Sequence, residues 1–320
     1  MNQLKIGFFG VKSWERDIIE REIINLDSTG VGIFNEELQD NIEQAKKYDV
    51  VSVFVYSKLD KKVLDQLPNL KMIATRSTGT DHIDSNECKK RNIEVLNVPS
   101  YGENTVAEYA IALMLAVAKR IVPAHQSVEE GEFSPEGLTG IDIFGKTLGV
   151  VGVGRIGKNV IKIAKGLGMK VITVDKGDNL DECLPKCDIL TFHVPATPET
   201  RHLLNLKNIK LMKRGSILIN TSRGKVVKTE AIVYGLANGI LWGAGLDVTE
   251  DEDLVESISM VSSTRPTKDD LQEVLSYHLL RDRDDVVFTP HNAFNTKEAI
   301  GRIIGTTIEN INTFINTIDK

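Results

Sequence analysis

Three polar residues in the second half of the chain could together act on a small acid. Arg223 follows the segment GSILINTS, Glu252 follows GAGLDVTED, and His291 follows VVFTP. A planar guanidinium binds a carboxylate through two parallel hydrogen bonds, which a Lys ammonium does not match. A His donates protons near neutral pH, and a carboxylate beside it stabilises its charged form. These residue types predict an anchor for a carboxylate, a proton donor for a carbonyl oxygen, and a partner for that donor.

A glycine motif supplies the matching cofactor signal. Gly152, Gly154 and Gly157 form G-x-G-x-x-G between the predicted strand TLGVVG and a predicted helix, and the next strand, KVITVD, ends at Asp175. Such glycines permit a tight turn, close approach to a pyrophosphate, and close packing of helix on strand. The acid at the strand end can bind an adenosine ribose and would repel a 2′-phosphate. The motif therefore predicts NAD rather than NADP; a merely structural glycine turn would leave Asp175 unexplained.

The elements that must position these residues alternate between strand and helix. Before residue 100, five short Val- and Ile-rich segments alternate with charged segments of helical spacing, which predicts a parallel sheet covered on both faces. A long apolar helix over 103–120 leads into six further strands that begin at Thr147. The last segment is an amphipathic helix that we expect to return to the first domain. The predicted fold class is α/β, with two doubly wound parallel-sheet domains.

Composition excludes several classes of function. The chain has 320 residues, 41% of them hydrophobic and 26% charged, with a net charge of −6 and no basic run. Nucleic acid and membrane surfaces are therefore not expected partners. The longest apolar stretch, AIALMLAVA at 110–118, is too short to span a bilayer. The N-terminus lacks a signal-peptide layout, which predicts a cytoplasmic protein.

Several other polar residues have a plain structural interpretation. Cys88, Cys183 and Cys187 are too few for a disulfide framework, and CLPKC has no second ligand pair for zinc. The segment DHID at 81–84 is interpreted as the start of a helix rather than a metal site, so no metal is predicted. His193 is expected to pack near the nucleotide, whereas His125, His202 and His278 have no identifiable partner. The polar, poorly periodic stretch 252–285 is interpreted as a long loop.

The motifs together resemble those of the D-isomer-specific 2-hydroxyacid dehydrogenases. GVGRIG, HVPATPET, NTSRGKVV, GAGLDVTEDE and TPHNAF occur in the family's order and approximate spacing, and RSTGTDHID and NVPSYGENTVAEYA agree. The resemblance covers nearly the whole chain. Within the family, VFVYSKLD, PSYGENTVAE and the extended segment before the last His are most similar to D-lactate dehydrogenases. The resemblance implies a Rossmann NAD-binding domain, 100–296, inserted into a flavodoxin-like substrate domain, 1–99 with 297–320.

The resemblance also implies a role for each site residue. Arg223 would bind the substrate carboxylate, His291 would act as acid and base, and Glu252 would be its partner. Backbone N–H groups of Thr78 and Gly79 would bind the same carboxylate from the other domain, with Tyr101 near the substrate. Asp247 would face the nicotinamide carboxamide. The remaining implied NAD contacts are Gly152, Gly154, Arg155, Ile156, Gly157, Asp175, Val194, Pro195, Thr200, Thr221, Ser222 and Arg223.

The expected activity is NAD-dependent reduction of pyruvate to D-lactate by a homodimer. Two kinds of alternative stay open. Another member activity would reduce hydroxypyruvate, glyoxylate, or a branched or aromatic 2-keto acid. A protein of another class would resemble the NAD-sensing corepressors and bind the dinucleotide without turnover.

Overall fold

A computed structural model describes residues 4–26, 30–250 and 268–318 of the chain. The chain forms two compact units, Met1–Tyr101 with Asn295–Lys320, and Gly102–Phe294. These limits differ by two residues from the domain limits expected from the sequence. None of the helices in the described ranges combines the length and apolar character that crossing a bilayer requires.

The first unit is built on a parallel sheet of five strands in the order β2-β1-β3-β4-β5. The strands are β1 (Lys5–Phe8), β2 (Gly30–Ile33), β3 (Val50–Val53), β4 (Met72–Thr75) and β5 (Glu94–Leu96). The helices are α1 (Ser13–Glu22), α2 (Ile42–Ala45), α3 (Lys61–Leu64), α4 (Ser85–Lys90) and, from the C-terminal segment, α11 (Lys297–Ile318). Every residue of β3 and β4 is buried, as expected for central strands of a parallel sheet covered on both faces.

The C-terminal helix α11 packs within this first unit, against α1 and β4. Its apolar residues recur at helical spacing and form one buried face that includes Ile304 and Ile311. Asn310 donates to the carbonyl of Asn97 at 2.9 Å, and Asn312 donates to the carbonyl of Asn25 at 3.0 Å. The first unit is therefore made of two separated stretches of sequence.

The second unit contains a parallel sheet of six strands in the order β11-β10-β9-β8-β6-β7. The strands are β6 (Thr147–Val151), β7 (Lys170–Val174), β8 (Ile189–Phe192), β9 (Ser216–Asn220), β10 (Leu241–Leu246) and β11 (Val286–Phe288). The helices are α5 (Glu103–Ala118), α6 (Ile121–Glu129), α7 (Arg155–Gly166), α8 (Leu180–Cys183), α9 (Thr229–Ala237) and α10 (Lys268–Arg281). The two parallel sheets confirm the predicted fold class.

The strand order of this second sheet places its first strand, β6, between β7 and β8. From β6 the chain adds one strand on one side of the sheet and the remaining strands on the other side. Open α/β sheets bind their ligands at such a reversal of strand order. Many dinucleotide-binding sheets have a further strand beyond the second one. Here residues 175–188 form α8 and a short 3₁₀ turn, Leu184–Lys186, so β7 is the edge strand.

The expectation of a loop over 252–285 is wrong for part of that stretch. Residues Lys268–Arg281 form α10, which contacts α9 and β11. Leu280 is buried, but Leu275 and Leu279 are about half exposed, so the helix lacks a single apolar face. This explains why the hydrophobic pattern did not indicate a helix.

Candidate active site

The glycine motif forms the turn between β6 and α7. Gly152 has a φ of +93°, a backbone conformation that glycine adopts readily and residues with a Cβ rarely adopt. A Cβ on Gly157 would lie 2.0 Å from the carbonyl oxygen of Gly152, so only glycine lets the helix begin this close to the strand. A Cβ on Gly154, the residue before α7, would meet no atom within 4 Å. The turn therefore leaves open space beside the first N–H groups of a helix, where a pyrophosphate is stabilised.

Asp175 lies at the carboxyl end of β7 with its side chain exposed. Its Oδ1 accepts a hydrogen bond from the backbone N–H of Lys176 at 2.9 Å, and its own N–H donates to Asp178 Oδ2 at 2.8 Å. The carboxylate is thus held in a tight turn at the same sheet edge as the glycine motif. A vicinal pair of ribose hydroxyls is a fitting ligand for such a carboxylate.

The loop after β8 packs directly behind the glycine turn. A Cβ on Gly152 would lie 2.5 Å from the carbonyl oxygen of His193 and 2.7 Å from a methyl of Val194. Further along, the Thr200 hydroxyl donates to the carbonyl of Pro195 at 2.6 Å and accepts from the N–H of Thr197 at 2.8 Å. Pro195 and Thr200 therefore belong to one closed turn, which Val194 directly precedes.

Arg223 lies in the loop after β9. Asn220 at the strand end organises this loop, because its Oδ1 accepts from the Ser222 hydroxyl at 2.8 Å and its Nδ2 donates to the carbonyl of Arg223 at 3.1 Å. The Arg223 guanidinium donates to the carbonyl of Ser222 at 2.7 Å. Thr221 is buried. The guanidinium is thus placed by a turn that one Asn side chain fixes.

Asp247, directly after β10, holds the loop that carries His291. Its carboxylate accepts from the backbone N–H groups of Asn292 and Ala293, each at 2.8 Å, and from the hydroxyl of Thr289. The N–H of His291 donates to the Asp247 carbonyl at 2.9 Å, and His291 has a φ of +48°. Burial raises the pKa of Asp247 although these donors favour its charged form.

Strand β10 pairs with β9 on one side and with β11 on the other. The loop that carries Arg223 follows β9, and the loop that carries His291 follows β11. Neighbouring strands in a sheet lie about 4.8 Å apart. The sequence-predicted anchor and proton donor thus lie at one sheet edge, with Asp247 between them. Glu252, the predicted partner of His291, lies outside the described residues.

The predicted substrate contacts Thr78, Gly79 and Tyr101 lie in the first unit. Thr78 and Gly79 follow β4, and the Thr78 hydroxyl donates to the carbonyl of Val98 at 2.7 Å. Tyr101 accepts a hydrogen bond from the Arg302 guanidinium at its carbonyl oxygen. Because it follows β4, the loop of Thr78 and Gly79 lies at the carboxyl edge of the first sheet.

Arg76, two residues before Thr78, has no exposed surface and was not singled out by the sequence. Its guanidinium binds both carboxylate oxygens of Glu15, at 3.0 and 3.1 Å, and the hydroxyl of Ser52 at 3.1 Å. This buried ion pair fixes the start of the Thr78 loop. Glu15 and Arg76 are 61 positions apart, so no local pattern indicated the pair.

A second pair missed by the sequence lies in the second unit. The imidazole of His202, for which the sequence indicated no partner, has its Nε2 2.5 Å from Glu250 Oε1. Glu250 also accepts from the N–H of Thr229 at 2.8 Å. Glu250 lies two positions before Glu252 in the acidic run EDED, where only the later acid was singled out.

The residues at this edge fit NAD. Two buried polar atoms, Thr221 Oγ1 and His193 Nδ1, have no hydrogen-bond partner among the described residues; His193 follows β8, the strand next to β6, and Thr221 follows β9, the strand beyond it. Gly154 offers open space at a helix N-terminus, and Asp175 offers a carboxylate for a ribose. Phosphate, ribose and amide groups of a dinucleotide would each find a complementary group here.

The residues that were interpreted from the sequence as structural make contacts within the fold. Asp84 caps α4 by accepting from the N–H of Glu87, and His82 Nε2 lies 3.1 Å from Thr75 Oγ1. Cys88, Cys183 and Cys187 are free and buried, and the hydrogen bond between Cys183 and Cys187 lowers the pKa of the first and raises that of the second. Within the described ranges, no three His, Cys, Asp or Glu side chains are grouped to hold a metal ion.

Comparison with known proteins agrees with this geometry. The family described as "D-isomer specific 2-hydroxyacid dehydrogenase, NAD binding domain" matches residues 111–293. A 2-hydroxyacid dehydrogenase homolog of Haemophilus influenzae is 34% identical over 96% of this chain and 95% of its own. A glyoxylate reductase of Thermococcus litoralis is 41% identical over 66% of this chain and 70% of its own.

A solved structure covers almost the whole chain. The D-lactate dehydrogenase of Aquifex aeolicus, complexed with NAD and lactic acid, is 33% identical, with a TM-score of 0.85 over 98% of this chain and 96% of that one. Together with the matched NAD-binding domain, this likeness confirms the predicted cofactor. The chain belongs to the D-isomer-specific 2-hydroxyacid dehydrogenase family, whose members are NAD-dependent oxidoreductases acting on the CH–OH group of 2-hydroxy acids.

Proposed function

We propose that this protein is a D-lactate dehydrogenase that reduces pyruvate to D-lactate with NADH. The observation that carries the proposal is the placement of Arg223 and His291 in the loops that follow the two strands flanking β10, with the His291 loop held by Asp247. The likeness to a D-lactate dehydrogenase over almost the whole chain supports pyruvate as the substrate. We also propose that the second unit binds NAD and that the first contributes substrate contacts.

Each predicted residue has one task in this reaction. Bound NADH supplies a hydride to C2 of the keto acid. Arg223 binds the substrate carboxylate in a bidentate manner, and His291 gives a proton to the carbonyl oxygen, so that the keto group becomes a hydroxyl. Glu252 is the proposed partner of that imidazole. Thr78, Gly79 and Tyr101 complete the proposed set of substrate contacts.

A panel of 2-keto acids tests the choice of substrate. Purified protein is mixed with pyruvate, hydroxypyruvate, glyoxylate, 2-ketoisocaproate or phenylpyruvate, with NADH or NADPH, and the loss of absorbance of the reduced cofactor is followed. We expect the highest kcat/KM with pyruvate and NADH. A higher value with glyoxylate or hydroxypyruvate would replace lactate by another member activity, which the Thermococcus litoralis relative favours.

Two variants test the assigned chemistry. Arg223→Lys keeps the charge but loses the fork of donors, so kcat/KM for pyruvate is expected to fall by roughly 100-fold or more. His291→Ala removes the proton donor and is expected to lower kcat by about 10²–10⁴-fold. Wild-type turnover by His291→Ala would overturn the assignment of the acid.

The rival of another class is a protein that binds NAD to control assembly. Tight NADH binding by fluorescence titration, with no turnover of any keto acid in the panel, would favour it. The presence of Arg223 and His291 at one sheet edge argues against it, because a sensor needs neither a carboxylate anchor nor a proton donor.

We further propose that the protein is a cytoplasmic homodimer. Four large apolar side chains between residues 121 and 144 are exposed, with exposed fractions of 57% for Ile121, 51% for Val128, 93% for Phe133 and 79% for Phe144. An exposed apolar patch is typical of a surface that a partner covers, and these four residues lie in one stretch of the chain, 121–144. Light scattering is expected to give twice the 35.4 kDa of one chain. A monomer at micromolar concentration would contradict the dimer.

A further inference from the structure

Three loops of the second unit meet at the buried carboxylate of Glu250. The Glu250 side chain is only 3% exposed, and its Oε1 lies 2.5 Å from Nε2 of His202, in the loop after β8. Its Oε2 accepts from the N–H of Thr229 at 2.8 Å and from the Thr229 hydroxyl at 3.2 Å. Glu250 itself follows β10. One side chain therefore links the segments that follow β8, β9 and β10.

The carboxylate serves as the cap of α9. Lys228 occupies the capping position of this helix and provides no side-chain hydrogen bond to it. Lys is a poor residue for that position, where Ser, Thr, Asp or Asn normally satisfies a free N–H group. Glu250 supplies the missing acceptor from another part of the chain, and its negative charge is favoured at a helix N-terminus.

Backbone contacts tie the same loops to Arg223. The short turn that follows it, Gly224–Val226, is bound by the N–H of His202, which donates to the carbonyl of Lys225 at 2.8 Å. In addition, Gly224 lies so close to Thr249 that an added Cβ would clash with the Thr249 carbonyl oxygen. The turn is thus held between the His202 segment and the residue next to Glu250.

We propose that Glu250 is a positioning residue for Arg223, acting through His202 and Thr229. The inference rests on the proposed function for its effect on turnover, although the clamp itself is a property of the fold. Without the carboxylate, His202 and the N-terminus of α9 lose their shared acceptor, so the segments that hold the turn next to Arg223 are fixed less firmly. The guanidinium then samples orientations that do not grip the substrate carboxylate. A displacement of about 1 Å at such a residue is enough to cost up to ~100-fold in rate.

Hydrogen–deuterium exchange tests the clamp without any turnover. In Glu250→Ala, peptides covering 200–205 and 223–230 are expected to exchange faster than in the wild type. Glu230→Ala is the matched control, because it also removes a carboxylate at the first turn of α9, but one that pairs with Lys228, at 3.5 Å. If exchange in both segments of Glu250→Ala equals that of the wild type, the clamp is refuted.

Kinetics then tests the effect on Arg223. Glu250→Ala is expected to raise KM for the keto acid by roughly 10- to 100-fold, while the Kd for NADH changes by about threefold at most. Glu250→Gln keeps an acceptor for the Thr229 N–H and is expected to recover most of the loss. In an Arg223→Lys background, Glu250→Ala should add little, because the group through which it acts has already been changed.

These arms separate failure of the inference from failure of the proposed function. If the wild type reduces no keto acid, the proposed function fails, and the exchange experiment alone decides the clamp. If the wild type is active and the effects of Glu250→Ala and Arg223→Lys simply multiply, the positioning role is overturned. An equal loss of NADH binding and keto-acid affinity in Glu250→Ala would also overturn it, since general damage would then explain the result.

Discussion

His193 shows what burial does to a single titratable group beside the cofactor turn. Its Nδ1 is buried without a partner among the described residues, and its Nε2 lies 3.0 Å from Thr191 Oγ1, although part of the residue is exposed. Burial lowers the pKa of His193 to about 4. The imidazole is therefore neutral in the folded protein at neutral pH, where either ring nitrogen can serve as donor or acceptor for a ligand.

The lowered pKa predicts how stability changes with pH. In the unfolded chain a His titrates near ~6.5, so below that pH the unfolded state binds a proton that the folded state refuses. Stability is thus lost as the pH falls from about 6.5 towards 4. Between pH 7 and 4.5 the wild type should lose about 2–3 kcal/mol more of its free energy of unfolding than His193→Gln does. Urea unfolding at the two pH values measures the difference, and equal losses in the two proteins would refute it.

The location of a candidate site residue was predictable from the sequence where that residue comes shortly after a strand. Arg223, Asp175 and His291 each follow a strand in the structure, as their positions after apolar segments indicated. Glu250 and His202 were not predictable, because they are 48 positions apart and meet only when three loops fold together. Within a run of acids such as EDED, sequence alone also does not show which carboxylate is buried.

The glycine turn has no room for an added side chain at Gly157. Gly157→Ala would place a methyl group 2.0 Å from the Gly152 carbonyl oxygen, so α7 must move away from β6. We expect NADH affinity to fall at least ~10-fold and the melting temperature to drop by several degrees. Gly166→Ala, at the other end of α7, meets no atom within 4 Å and should leave NADH binding unchanged.

Titration of NADH by fluorescence and a thermal melt of both variants check this prediction. Gly166→Ala is expected to be neutral or slightly stabilising, since alanine is favoured over glycine in a helix by up to ~1 kcal/mol. Unchanged NADH affinity in Gly157→Ala would mean that the close approach of α7 to β6 has no role in holding the cofactor.

Strands were easier to predict than helices in this chain. The central strands are buried along their whole length, so β3, β4 and β9 appear in the sequence as continuous runs of Val, Ile and similar residues. The helix α10 has no such signal, because exposed Leu275 and Leu279 lie near buried Leu280. A pattern method detects a helix only when its apolar residues share one face.

At the scale of the whole molecule, one unit is built from a single stretch of the chain and the other from two stretches. The second unit is one uninterrupted stretch, Gly102–Phe294, whereas the first needs Asn295–Lys320 to be complete. The buried face of α11 includes Phe314 and six isoleucines, Ile300, Ile303, Ile304, Ile308, Ile311 and Ile315. At roughly 1.5–3 kcal/mol for each buried side chain, this face contributes as much as the whole stability of an ordinary domain, about 5–15 kcal/mol.

Truncation after Phe294 is therefore expected to unfold the first unit and spare the second. NADH should still bind the truncated protein with a Kd within about threefold of the wild type, because the glycine motif and Asp175 lie in Gly102–Phe294. Amide exchange should rise throughout residues 4–101, while β6 to β9 keep their protection. Turnover of keto acids should be lost, since the proposed contacts Thr78, Gly79 and Tyr101 belong to the unfolded part. Retained protection of β1 and β4 in the truncated protein would show that the first hundred residues fold without α11, and loss of NADH binding would show that the second unit does not fold alone.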